Sequence, residues 1–159
     1  MQTQSFMVDV PGGQVFVQRW QPASATSGAA CPIVLLHESL GSVGQWHDFP
    51  ARLAQATGRE VLAYDRLGFG QSSPRSDAPS LQFIAHEAQQ HFPALVAALG
   101  LERYALLGHS VGAVMALHIA AAHPAQCQAV LSLSAQASVQ PQTLEGLRPA
   151  PRFFADPQQ

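Results

Sequence analysis

Charge is scarce in this chain. Only 11% of its 159 residues are Asp, Glu, Lys or Arg, and the eight basic residues form no cluster. Nucleic acids and anionic membranes are held by concentrated positive charge, so neither is an expected partner. The formal net charge of −2 points instead to small neutral or mildly charged ligands. Cysteine is nearly absent. Cys31 and Cys127 each stand just ahead of an expected strand and read as small half-buried residues, with no disulfide or nucleophilic role. Long apolar runs are missing too. The longest, Val111 to Ala122, is interrupted by His118 and is too short to span a bilayer. Met1-Gln2-Thr3-Gln4-Ser5 lacks the basic and apolar segments of a signal peptide, so the expectation is a soluble, cytoplasmic protein. At 47% hydrophobic, the composition suits one domain with a real core and excludes disordered and fibrous classes.

Short apolar runs alternate with helical patterns. Phe6, Val8 and Val10, a Pro11-Gly12-Gly13 turn, and Val15, Val17 and Arg19 predict an opening β-hairpin. Ala23 to Ala30 reads as a linker. Ile33 to Leu36, Val61 to Tyr64, Tyr104 to Leu107 and Val130 to Leu133 are all-apolar runs, as expected of parallel strands covered on both faces. Between them, Phe49, Leu53 and Ala56 predict one helix, stopped by Gly58. Leu81, Ile84, Ala88, Phe92, Leu95 and Leu99 predict a second, bent or restarted at Pro93 and closed by Gly100. Val111 to Ala122 is a third. The fold class is therefore α/β, a doubly wound, mostly parallel sheet with an N-terminal β-hairpin, and ligands are expected at the carboxyl ends of the strands. From Ser134 onward the pattern dissolves into Ala, Gln, Ser and Pro, with a short helical turn at Thr143 to Leu147. Residues 1–134 are read as the core and 135–159 as the start of a lid or an irregular tail.

Gly108-His109-Ser110-Val111-Gly112 is the most informative stretch. G-x-S-x-G can arise by chance in a chain rich in alanine and glycine. Here it joins an expected strand to an expected helix, and that context gives it meaning. So sharp a turn strains its central residue, and only small residues two before and two after, Gly108 and Gly112, let the neighbouring segments pass. Ser110 is thereby pushed out as a candidate nucleophile. The first-turn amides of a helix lack intrahelical partners, so the Val111 N–H is free to meet a developing oxyanion. Gly68-Phe69-Gly70 invites a dinucleotide-binding reading, which fails because Ser73 replaces the third glycine and Pro74 stands where a helix should begin.

Three segments together, Leu35-Leu36-His37-Glu38-Ser39-Leu40-Gly41-Ser42, Asp65-Arg66-Leu67-Gly68-Phe69-Gly70-Gln71-Ser72 and Gly108-His109-Ser110-Val111-Gly112, resemble the α/β-hydrolase family in order and spacing. The match runs from the first hairpin to about Ala135. The resemblance implies an esterase-type serine hydrolase acting on a small ester-like substrate, with no cofactor and no metal. It makes Ser39 the second oxyanion amide, with Glu38 standing where the family has glycine. It also makes His37 a loop-pinning hydrogen bonder and Asp65 and Arg66 a scaffold pair.

A catalytic serine needs a base, and the base needs an acid to hold its tautomer, in the chain order Ser, Asp or Glu, His. After Ser110 the histidines are His118 and His123, both on the helix leading away, with His118 about 12 Å along its axis. Glu145 and Asp156 have no histidine after them. His47, His86 and His91 belong to or precede other helices and read as surface or packing residues, and His109 is expected to point away from Ser110. The family's sheet continues with strands bearing the acid and the histidine, behind a helical lid. The expectation is thus a truncated, catalytically incomplete serine hydrolase lacking those strands and most of the lid, with a missing C-terminal segment as partner. The competing reading is a non-catalytic binding module or assembly partner that needs a C-terminal chain in trans.

Overall fold

A computed structural model describes residues 1–23, 30–75, 80–136, 138 and 141–148. Most of the 135–159 segment and most of the expected linker at 23–30 lie outside the described residues. Six strands form one sheet in the order β1-β2-β4-β3-β5-β6. The opening hairpin is β1 (Gln2–Val10) and β2 (Gly13–Gln21), paired antiparallel in register from Gln2–Gln21 to Val10–Gly13. Strand β2 runs antiparallel to β4 (Val61–Tyr64), and from there β4, β3 (Ile33–Leu36), β5 (Tyr104–His109) and β6 (Cys127–Leu133) are parallel. Every residue of β3 and β4 is buried, which is why their sequences carry no polar alternation.

Helix α1 (Phe49–Thr57) covers one face and ends where Gly58 takes a left-handed φ of 64°. Its buried positions are Pro50 and Ala54, four residues apart, whereas Ala56, expected on the inner face, is exposed. Trp20, Leu35, Val43, Ala54, Ala63 and Leu107 form the core beneath it. The opposite face packs against α2 (Phe83–His86), α3 (Phe92–Ala98) and α4 (Val111–Ala122), around Tyr64, Phe92, Leu95, Leu106, Met115 and Ile119. A short α5 (Pro141–Leu147) contains the expected helical turn.

A further expectation needs correcting. Leu81 is fully exposed, because the helix starts only at Phe83. Strand β6 carries the apolar run Val130 to Leu133, which reads as covered on both faces in a complete sheet and as an exposed edge where the later strands are missing. It is the edge of the described sheet, and Leu131 and Leu133 are 52% and 41% exposed. An apolar sequence signals a face meant for burial, whereas actual burial depends on which neighbours are present.

Between α2 and α3 the ladder opens into one π turn, Glu87–His91, in which the Phe92 N–H bonds back to the Glu87 carbonyl. Pro93 follows immediately. Its ring cannot sit against a regular i−4 carbonyl, and the wider turn relieves that clash. The π turn carries Glu87 into the core, where its carboxylate accepts the Tyr64 hydroxyl at 2.6 Å and faces His91 Nδ1 at 3.3 Å. Burial, reinforced by Glu87, pushes the Tyr64 phenol well above its usual range, so it remains a donor. Tyr64→Phe therefore strips a buried carboxylate of a donor and is expected to cost about 1–3 kcal/mol of stability in urea unfolding. An unchanged midpoint would show that water or His91 compensates fully.

Candidate active site

Strand β5 delivers Ser110 and α4 receives it, and the serine between them has φ 55° and ψ −118°. A side-chain-bearing residue rarely adopts that conformation, and it persists only where its surroundings enforce it. The Ser110 amide donates to the Leu133 carbonyl at 2.9 Å, and its carbonyl accepts from Ala113 and Val114. Both flanking glycines are required by space. A Cβ on Gly108 would lie 2.2 Å from the Gly112 carbonyl oxygen, and one on Gly112 would lie 2.2 Å from the Leu36 carbonyl oxygen. Ser110 is half-buried, and among the described residues no hydrogen bond engages its hydroxyl or the amides of Val111 and Ser39.

The loop after β3 is held from below. His37 is 2% exposed and accepts the Arg66 backbone N–H on Nε2 at 3.1 Å, so Nδ1 carries the proton and donates to the Glu38 carbonyl at 2.8 Å. Burial, aided by the Arg66 charge, holds the ring's pKa down at about 3. His37 is thus neutral with both nitrogens engaged, a structural residue with no lone pair to offer Ser110. Arg66, 6% exposed, donates through its guanidinium to the carbonyls of His37 (2.7 Å), Glu38 (2.8 Å) and Ser39 (3.3 Å) and lies over the Phe69 ring. Asp65 ties the next loop. Its carboxylate accepts the Val43 and Gln71 amides, and Gly70 packs so closely that a Cβ there would overlap it. Asp65 and Arg66 do form a scaffold pair, by gripping backbone on both sides of the site.

The depressed pKa of His37 has a stability consequence. A folded state that prefers the neutral ring is fully favoured above the unfolded value of 6.5 and loses that advantage as pH falls toward about 3. Over this window His37 is expected to remove up to ~1.4 kcal/mol of stability per pH unit. Chemical denaturation at several pH values should show the slope in the wild-type chain and a shallower one in His37→Asn.

Glu38 turns away from the loop toward His109, with 3.7 Å between Oε2 and Nδ1 and both side chains nearly half exposed. This contact escaped the sequence, although the charged residue in place of glycine was its signal. The two line a cavity of about 350 Å³ with Trp46 and His47. A second cavity, of about 230 Å³, reaches from Ser39 to Phe69, Phe83, Met115 and the buried Glu87. Glu87 was likewise missed. A charged side chain one turn from Ile84 and His91, on the apolar stripe, was the available clue. The histidines after Ser110 are elsewhere: His118 on α4 is exposed, and His123, which caps its C-terminus, has Nε2 3.0 Å from the Ala88 carbonyl. Both cysteines are free and half-buried, and burial pushes the Cys127 thiol up, away from nucleophilic character. Among the described residues no helix is long and apolar enough to cross a membrane.

This architecture has relatives. A proline iminopeptidase of Lactobacillus helveticus is 34% identical over 108 residues, covering 67% of this chain and 36% of that protein. The crystal structure of proline iminopeptidase from Mycobacterium smegmatis superposes with a TM-score of 0.73 at 28% identity, covering 97% of this chain and 56% of that one. Naproxen esterase from Bacillus subtilis shares the fold at TM-score 0.76 and 22% identity, over 98% of this chain and 51% of that one. The chain thus spans about a third of the curated relative and about half of the solved ones. Residues 32–156 match the model of the alpha/beta hydrolase fold, and with the relatives being hydrolases, the chain belongs to the alpha/beta hydrolase fold family.

Proposed function

We propose that this chain carries the nucleophile and oxyanion half of a serine hydrolase that cleaves small carboxylic esters. Ser110 Oγ attacks the carbonyl carbon, and the Val111 and Ser39 amides take up the negative charge of the tetrahedral intermediate. The observation that carries this reading is the strained Ser110 at φ 55°, held between β5 and α4 by two glycines that admit no side chain. Strain of this kind, at a hydroxyl with no hydrogen bond among the described residues, is costly, and a purely structural serine gives no reason to keep it. Esters are the first substrates to try because an alkoxide leaves more readily than an amine. The likeness to proteins named proline iminopeptidase supports peptides as the second substrate class to try.

In this reading the base and its acid come from a segment beyond β6. The share of the relatives' length that this chain spans supports it, as does the engagement of His37 and His123 elsewhere. Fluorophosphonate labelling with the modified residue located by mass spectrometry tests the assignment. The label is expected at Ser110, slowly in this chain alone and quickly once the activating segment is supplied; modification at another residue, or none under either condition, rejects it. A second reading, a binding or assembly module needing a partner chain, draws on the exposed β6 edge with Leu131 and Leu133. It predicts association with the added segment and no Ser110 labelling.

A further inference from the structure

The Glu38 carbonyl and the Ser39 N–H belong to one peptide unit, and that unit is gripped at a single end. Three donors converge on the Glu38 oxygen: Arg66 Nη2 at 2.8 Å, His37 Nδ1 at 2.8 Å and the Gly41 amide at 3.2 Å. A carbonyl oxygen has two lone pairs, so this one is saturated. The peptide is planar and trans, so its C=O and N–H point in opposite directions, and holding the oxygen inward aims the Ser39 N–H outward. Hydrogen bonds also polarise one another in a chain, and donors at the oxygen make the N–H of the same unit more acidic.

We infer that Arg66, with His37, is a positioning residue for the oxyanion site: it aims and polarises the Ser39 N–H through the Glu38–Ser39 peptide. This rests on the reading of Ser39 as an oxyanion donor and adds the device that makes it one. The guanidinium is suited to the task because it reaches several carbonyls from one plane. It bonds three in succession, His37, Glu38 and Ser39, and its Cζ lies 4.8 Å from the centroid of the Phe69 ring. A lysine brings the same charge without the fork. His37 contributes because its ring stays neutral above about pH 3, so the Nδ1–H donor persists across the range in which esters are assayed. Here a buried cation strengthens an amide on the far side of a peptide bond.

Two measurements on the full chain test it. The first is NMR of the isotopically labelled protein, which needs no activity. The Glu38 carbonyl carbon and the Ser39 amide nitrogen are expected strongly downfield of random-coil values in the wild type, and both should move upfield in Arg66→Lys. Ordinary shifts in the wild type overturn the inference even if the variant fails to fold, as do unchanged shifts in a folded Arg66→Lys. The second is the rate of Ser110 phosphonylation, expected to fall roughly tenfold or more in folded Arg66→Lys, a fraction of what outright loss of an oxyanion donor costs. Shifts that move without any change in rate overturn the catalytic role. Absence of Ser110 labelling in the wild type, with or without the activating segment, instead rejects the serine-hydrolase reading and with it that role, while the NMR result alone then decides whether the peptide is polarised.

Discussion

Ser110→Ala is expected to abolish hydrolysis of short-chain p-nitrophenyl esters once this chain is combined with a segment supplying a carboxylate and a histidine. The drop should be on the order of 10⁶ in turnover, the scale on which removing a nucleophile or its base collapses catalysis by a serine hydrolase. The chain alone is expected to show negligible turnover. A hydroxyl at neutral pH is a poor nucleophile without a base to take its proton, and among the described residues no imidazole is bonded to Ser110. What the serine does possess is geometry: a strained turn and a neighbouring helix N-terminus, with a hydroxyl that among the described residues has no hydrogen bond. Restored activity that vanishes in Ser110→Ala is the decisive result, because inactivity of the chain by itself has too many causes. Robust Ser110-dependent turnover without any added segment would mean that a histidine assigned here to scaffolding serves as the base.

Gly112→Ala is expected to be among the most destabilising single methyl additions available in this protein. The new Cβ would sit 2.2 Å from the Leu36 carbonyl oxygen and 2.5 Å from that of His37, and both obstacles are backbone. Neither is free to retreat. Leu36 is paired with β4 on one side and β5 on the other, and the His37 carbonyl is held by Arg66. Overpacking against immovable atoms typically costs 1–3 kcal/mol and more where nothing relaxes, so a loss on the order of 3 kcal/mol or greater is expected in urea unfolding. Set against a total stability of roughly 5–15 kcal/mol for a domain, that is a large share. Gly100→Ala is the control: its φ of 65° is strained for alanine, yet no atom stands within 4 Å of the new methyl. It should cost only about 1–2 kcal/mol. A loss at Gly112 no larger than that at Gly100 would show that α4 and β3 move apart to admit the methyl, and that their close passage does not demand the glycine.

The elements that could be read from the sequence were those whose cause is local. Strands β3 and β4 match their apolar runs residue for residue, because a strand buried on both faces must be apolar throughout. Helix α4 begins at Val111, as the glycine-flanked serine requires, and Gly58 stops α1 where a left-handed residue was needed. The π turn is different. Pro93 announced a disturbance, but whether the helix would break, kink or widen depended on Phe92 and Glu87 both finding places in the core. Leu81 misled because periodicity extends a helical stripe past its first turn: Ser80 takes the Gln82 N–H on its hydroxyl and the Phe83 N–H on its carbonyl, and the helix begins only at Phe83.

At the site, the sequence by itself determined the nucleophile candidate, its two glycines and the strand-turn-helix context, because steric exclusion around a tight turn is written in residue size. The family resemblance of its motifs implied that His37, Asp65 and Arg66 are scaffold without naming what they hold. Only the tertiary structure decided that Arg66 spans three successive carbonyls from a loop 28 residues away. Only there does His37 emerge as neutral with both nitrogens engaged, and Glu38 as turned toward His109. These depend on long-range register between β3, β4 and β5. The energy of a buried hydrogen bond is set by which distant groups the sheet brings together, and no local pattern in the chain encodes that meeting.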